Sequence, residues 1–227
     1  WQAVQACHRL GAAIVFASAA VVAASLFAIP VYEIYKVGED VHWKDGLDFF
    51  GVYGLPLVFV PHWNNNEGGS ELDTSRCFMG QSRFAQLMEM IPSELTIVGI
   101  DENTALIIDP ASGICQASGA GGVTLIHTGP AHHTASSPMD LEGTGLIEIA
   151  RQHHAHVHLY QPGQNFPLGK IGEFHLPPAG VGLPPRVWEH AVRVRQERDE
   201  KKDASKTTPK EVQALVKMRQ EARNRKD

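Results

Sequence analysis

Ala12-Ala13-Ile14-Val15-Phe16-Ala17-Ser18-Ala19-Ala20-Val21-Val22-Ala23-Ala24 is an apolar run that changes character at one serine. Before Ser18 the residues are apolar and partly β-branched, which suits a short strand; Ala19 to Ile29 is Ala-rich and suits a helix. A serine at such a junction sits on a tight turn, its hydroxyl projecting from the sheet edge beside a helix N-terminus. Working outward, Pro61-His62-Trp63 adds an imidazole and Gly99-Ile100-Asp101-Glu102 adds a carboxyl. Those are the parts of an acyl-transfer site. A hydroxyl is a weak nucleophile until an imidazole takes its proton, and an acid fixes the imidazole tautomer. The plain alternative is a small residue that merely packs at the turn.

The pattern around these segments alternates helix and strand. Helix 1–10 leads to strand 12–17 and helix 19–28, and Leu55–Val60 reads as a strand. Phe78, Phe84, Leu87, Met88 and Ile91 fall at helical spacing within a helix over 76–91. Residues 95–100 and 105–108 read as strands, and 114–126 as a Gly-broken hairpin. Residues 129–145 read as a loop, and 156–180 as short strands among Pro and Gly. This alternation predicts an α/β layered domain over 1–178. Beyond it, 179–227 is a charged, basic helical arm. Within the arm Pro185–Asp203 overlays Pro209–Asp227: Val192, Arg195, Gln196, Glu197, Lys202 and Asp203 match Val216, Arg219, Gln220, Glu221, Lys226 and Asp227. Two helices of one pattern are expected, jointed at Ala204–Thr208 with Thr208 as N-cap.

Composition narrows the classes. With 227 residues, 43% of them hydrophobic, the chain can bury a real core. A formal charge of −5 argues neither for a nucleic-acid-binding body nor for an acidic tail. Three cysteines, Cys7, Cys77 and Cys115, at no metal-like spacing read as reduced thiols of a cytoplasmic protein. Leu10–Ile29 is uncharged and long enough to span a bilayer. Much of it is Ala, Gly and Ser, however, and a buried strand and helix use the same residues, so no membrane partner is expected.

Phe16-Ala17-Ser18-Ala19-Ala20, Val60-Pro61-His62-Trp63-Asn64-Asn65, the helix with Arg76 and Arg83-Phe84, and Pro92-Ser93-Glu94-Leu95-Thr96-Ile97-Val98-Gly99-Ile100-Asp101-Glu102-Asn103-Thr104-Ala105-Leu106 together carry a resemblance. They resemble the serine peptidase family of aspartyl dipeptidase and cyanophycinase, in the class I glutamine amidotransferase-like superfamily. The resemblance covers about Trp1 to Ile126. It implies a flavodoxin-like three-layer sandwich, here partial, with Ser18 as nucleophile, His62 as base and Glu102 as the third acid. A small peptide or amide is the implied substrate, and no cofactor or metal is implied. Candidate substrate-binding residues are Ala19, whose N–H faces a developing oxyanion, Trp63 and Asn64 beside the base, and Arg76 and Arg83, which suit a substrate carboxylate. The family's glycines two positions before and after the serine are Phe16 and Ala20 here, and its Asp two residues before the histidine is Val60. The family's fold also has βα units before the nucleophile strand. A further N-terminal segment is therefore an expected partner within the same protein, and both ends read as cut from something longer. Self-association is also admitted.

Pro209–Asp227 resembles the helix opening the C-terminal part of cysteinyl-tRNA synthetases, through Val212, Leu215-Val216, Arg219 and Ala222-Arg223. It comes without that enzyme's zinc or nucleotide motifs, so aminoacylation is not implied. RNA contact by the arm is the weaker expectation beside a solvated helix. The second functional expectation is a degenerate amidotransferase-like binding or assembly module, serving a translation-related partner through the arm. His153-His154-Ala155-His156-Val157-His158 places His154, His156 and His158 on one face of a strand, a zinc-like pattern without a clear carboxylate or Cys partner. His132-His133 could join it only through a folded-back loop. A half-exposed polar strand face is the plainer reading.

Overall fold

A computed structural model describes residues 1–129, 155–207, 214 and 217–218. Residues 130–154, and with them His132, His133, His153 and His154, fall outside the described residues, as do Thr208 and all of the arm's second repeat copy except 214 and 217–218. The chain divides into two compact units, Val15–Pro177 and Trp1–Ile14 with Pro178–Asp227.

The Val15–Pro177 unit is mixed α/β. Its elements in order are α2 (Ala19–Ala24), β1 (Phe27–Ala28), β2 (Lys44–Asp45), β3 (Leu57–Val60), α3 (Gly80–Met90), β4 (Leu95–Ile100), β5 (Thr104–Asp109), β6 (Ile114–Gly119), β7 (Val123–Thr128), β8 (His156–Tyr160) and β9 (Asn165–Pro167). A four-stranded sheet runs β3-β4-β7-β8. β3 and β4 are parallel, with Leu57 opposite Thr96 and Val60 opposite Gly99, and α3 makes the crossover between them. The β4–β7 and β7–β8 pairs are antiparallel. All four β3 residues are buried, as a strand covered on both faces requires. Side chains alternate between faces. Val58, Val60, Ile97, Ile126 and Val157 join Phe84, Leu87 and Met88 of α3 in one core. Leu57, Phe59, Val98, Val123 and Leu125 join Cys115, Ala117 and Phe166 in the other, against the three-stranded sheet β5-β6-β9.

Three elements differ from the sequence expectation. Residues 12–17 form no strand, since no neighbouring strand offers them a ladder among the described residues. The Ala-rich helix ends at Ala24. There the buried Ser25 hydroxyl donates back to Val21 O and accepts the Phe59 N–H at 2.9 Å, while Leu26 N–H donates to Leu57 O. The helix end is thus fixed to β3, and Phe27–Ala28 pairs with Lys44–Asp45 instead of continuing the helix. Residues 114–126 are not a hairpin either. β6 pairs with β5 and β9, whereas β7 pairs with β4 and β8, so Ala120-Gly121-Gly122 is a crossing between sheets. A Cβ at Gly121 would lie 2.5 Å from the Asp101 Cβ, which explains glycine there.

The other unit pairs α1 (Gln2–Arg9) with α4 (Pro185–Thr207). Ala6, Leu183 and Ala191 form its small core, with Leu10, Val187 and Trp188 packed around them. Arg195 donates to Leu10 O and pairs with Asp199 at 2.8 Å. Proline at the first position opens α4. The helix runs on through Ala204–Thr207, where the sequence suggested a joint. No helix among the described residues is long and apolar enough to cross a membrane.

Candidate active site

Ser18 precedes α2 with φ 48° and ψ −121°, a conformation that costs a residue with a Cβ about 1–3 kcal/mol. Ser18 is exposed. Phe16, where the resembling family has glycine, does not crowd this turn. Its ring lies edge-on to Phe49 at 5.2 Å and to Phe50 at 6.3 Å.

His62 lies two residues past the end of β3, after Pro61. Trp63 N–H donates to Ile100 O at 3.0 Å and extends the β3–β4 pairing past the strand ends. The first residues beyond β3 and β4 are therefore brought side by side, and among them are His62 and Glu102. Ser18 Oγ stands 3.0 Å from His62 Nε2, and His62 Nδ1 stands 3.1 Å from Glu102 Oε1. An ionised carboxylate only accepts, so the proton of a neutral imidazole belongs on Nδ1. That leaves Nε2 bare to accept the Ser18 O–H. The His62 and Glu102 side chains retain 34% and 36% of their accessibility, so the relay lies open to solvent at the rim of the sheet.

Glu102 is held by more than His62. Asn65 Nδ2 donates to the same Oε1 at 2.8 Å, and Glu102 N–H donates to Asn64 Oδ1 at 2.8 Å. The hydrogen bond from Asn65, then that from His62, hold the carboxyl below the usual carboxylate range. The neighbouring Asp101 is different. Burial pushes its carboxyl up, and Oδ2 accepts the Gly122 N–H at 2.8 Å.

A turn of unusual hand holds the backbone of His62 and Trp63. Arg76, Cys77 and Phe78 have φ of 56°, 58° and 68°, three left-handed residues in succession, and Gly80 has 68°. Arg76 N–H donates to Trp63 O at 2.9 Å and Cys77 N–H to His62 O at 3.2 Å. The Phe78 ring lies 6.2 Å from the His62 ring. Asp73 anchors the turn, accepting from Ser75 through Oδ1 and from the Gln81 N–H through Oδ2. This turn is why α3 begins at Gly80, later than the apolar spacing suggests.

The candidate binding residues divide. Ala19 is the first residue of α2, next to Ser18. Asn64 lies at the site, its Oδ1 engaged by Glu102. Trp63 is buried, edge-on to Phe84 at 5.2 Å. The Arg76 guanidinium stacks over the Trp63 indole at 4.2 Å and donates to Trp63 O at 3.1 Å, with only 7% of the residue exposed. Arg83 donates to Met79 O and Phe78 O and faces Tyr35 at 5.8 Å. Both arginines thus brace the wall behind His62.

Phe78 is a residue of this site that the sequence suggests only as part of an apolar helix face, and Asn65 one that it suggests only as part of the polar 64–70 loop, either a flexible connection or a loop whose amides grip a polar substrate. Asn65 lay within a polar Asn-Gly-rich stretch, and only its 3% exposure separates it from its neighbours. In β8, His156 pairs with His127 across the ladder, and the His158 ring lies 5.7 Å from that of His127. Among the described residues no group of three or more His, Cys, Asp or Glu is arranged to hold a metal ion. In comparisons with known proteins, no family model, no curated protein and no solved structure matches the chain.

Proposed function

We propose that the Val15–Pro177 unit is a serine hydrolase acting on a peptide or amide bond of a small substrate. The observation that carries this reading is the unbroken relay from the Ser18 hydroxyl through His62 to Glu102, at 3.0 and 3.1 Å. The strained backbone at Ser18 supports it, because left-handed strain at an exposed polar residue clusters at sites of chemistry. On this reading the flavodoxin-like, class I glutamine amidotransferase-like resemblance describes the fold, with the parallel β3–α3–β4 unit as its part nearest the site.

The chemistry follows from the geometry. Ser18 Oγ attacks the substrate carbonyl carbon while His62 Nε2 takes the hydroxyl proton, and Glu102 stabilises the imidazolium that forms. The Ala19 N–H, at the start of α2, is the backbone donor placed next to the developing oxyanion. Collapse of the tetrahedral intermediate breaks the C–N bond, and His62 returns its proton to the leaving amine. A water then enters by the same base and releases the acyl group.

Labelling with a fluorophosphonate tests the proposal. The expected result is modification of Ser18 that disappears in Ser18→Ala and His62→Ala. A folded wild-type protein that takes up no label overturns the hydrolase reading and leaves the alternative, a binding module that keeps the site's shape without its reactivity.

A further inference from the structure

The loop between His62 and the left-handed turn does more than connect them. Asn65 is buried to 3% exposure, and each end of its side-chain amide has a partner. The Glu67 N–H donates to Asn65 Oδ1 at 3.2 Å. A backbone N–H can only donate, so it fixes which end of the amide is the oxygen and leaves Nδ2 to face the carboxylate. Nδ2 then donates to Glu102 Oε1, the same oxygen that accepts the hydrogen bond from His62 Nδ1–H. The loop is tied down in turn: Thr74 Oγ1 accepts the Gly68 N–H at 3.1 Å and lies 3.5 Å from Asn65 O. Asn64 grips the backbone of the same residue through the Glu102 N–H.

Glu102 needs such a grip. It sits just beyond β4, outside the ladder, on a chain that turns at once through Asn103 with φ 55°. Its side chain is more than a third exposed and has several rotatable bonds. One hydrogen bond from an imidazole would leave it free to swing into water.

We propose that Asn65, assisted by Asn64, is the positioning residue of this site: its amide holds Glu102 Oε1 where the His62 Nδ1–H meets it. This rests on the hydrolase reading above. Asn65 touches no reacting atom; it acts through Glu102.

Two substitutions separate positioning from simple loop support. Asn65→Asp keeps the shape and the acceptor for the Glu67 N–H, but it loses the donor and sets a second carboxylate against Glu102. Asn65→Ala loses both bonds without adding charge. If Asn65 only shaped the loop, Asn65→Asp would behave as wild type and Asn65→Ala would be the poorer variant. Positioning reverses that order. The experiment measures fluorophosphonate labelling rate, kcat and KM on an activated ester, and the Glu102 carboxyl titration by NMR, with circular dichroism confirming the fold of each variant. The expected result is a kcat reduced roughly 10- to 100-fold in Asn65→Ala with KM little changed, and a larger loss in Asn65→Asp. The Glu102 titration moves to higher pH in both. Active wild type with Asn65→Asp at full rate and an unmoved Glu102 titration overturns the positioning role alone. Wild type that neither labels nor turns over overturns the hydrolase reading, and the NMR titration then decides by itself whether Asn65 governs Glu102.

Discussion

Ser18 holds a backbone angle that glycine would accept without cost, and this makes its two simplest variants informative. Ser18→Ala and Ser18→Gly should both abolish labelling. Only glycine relieves the strain, partly offset by the greater freedom of its unfolded chain. Ser18→Gly should therefore be about 1 kcal/mol more stable than Ser18→Ala in denaturant melts; equal midpoints would mean that the φ of 48° stores nothing. Glu102 gives a prediction in pH. Its carboxyl is held below the usual range by Asn65 and His62, so between the native and unfolded values the unfolded chain binds more protons and stability rises with pH. The contribution is full above the unfolded value, about 4.3, and is lost as pH falls through the depressed native value. Thermal melts of wild type and Glu102→Gln should differ most near neutrality and converge in strong acid. A gap that widens toward acid would contradict the sign. At this scale the three side chains of the candidate site that lie within hydrogen-bond distance could be picked out by their chemistry: a hydroxyl, an imidazole and a carboxyl. The setting of Asn65 could not be read beyond its place in a polar loop, because burial and the oxygen that an amide faces are tertiary facts. The Trp63 face that Arg76 covers and the Met79 carbonyl that Arg83 engages are likewise not written in the sequence around either arginine.

The β3–α3–β4 unit is where elements become a site. Gly99, in β4 beside Val60, leaves room for the Trp63 indole; a Cβ there would stand 2.5 Å from the ring. Gly99→Ala should thus destabilise the fold by about 1–3 kcal/mol and, by displacing the residue after His62, slow labelling of Ser18 as well. A melt and a labelling rate both equal to wild type would show that the indole moves aside at no cost. The buried strands β3 and β4 could be read from their apolar runs, and α3 from its helical spacing. The start of α3 could not, since three left-handed residues in succession are set by tertiary anchors such as Asp73 and leave no propensity signal. The 12–17 segment shows the same limit: strand character in a sequence becomes a strand only where a neighbour completes the ladder. The partition of β6 and β7 into different sheets was hidden for a related reason, because glycines at 119, 121 and 122 fit a tight hairpin and an inter-sheet crossing equally well.

Across the whole molecule the three thiols occupy three settings. Cys7 is exposed on α1, whereas Cys77 and Cys115 lie in the two cores of the other unit, where burial pushes both thiols up to about 12. In native protein at pH 8 a thiol reagent should titrate one group, Cys7, and in denaturant three. Rapid native reaction of Cys77 would mean that the wall behind His62 opens readily. Composition alone had located the thiols but not their reactivity, which depends on the core each one enters. The ends of the relay are also far apart along the chain: Ser18 and His62 are separated by 44 residues, His62 and Glu102 by 40. Neither junction lies within a local fragment, and the one between His62 and Glu102 rests on the parallel ladder that brings the ends of β3 and β4 side by side. On the hydrolase reading, a fluorophosphonate added at intervals to a refolding sample would act as a clock for long-range assembly, with Ser18 capturing the reagent only in molecules where His62 has already reached it.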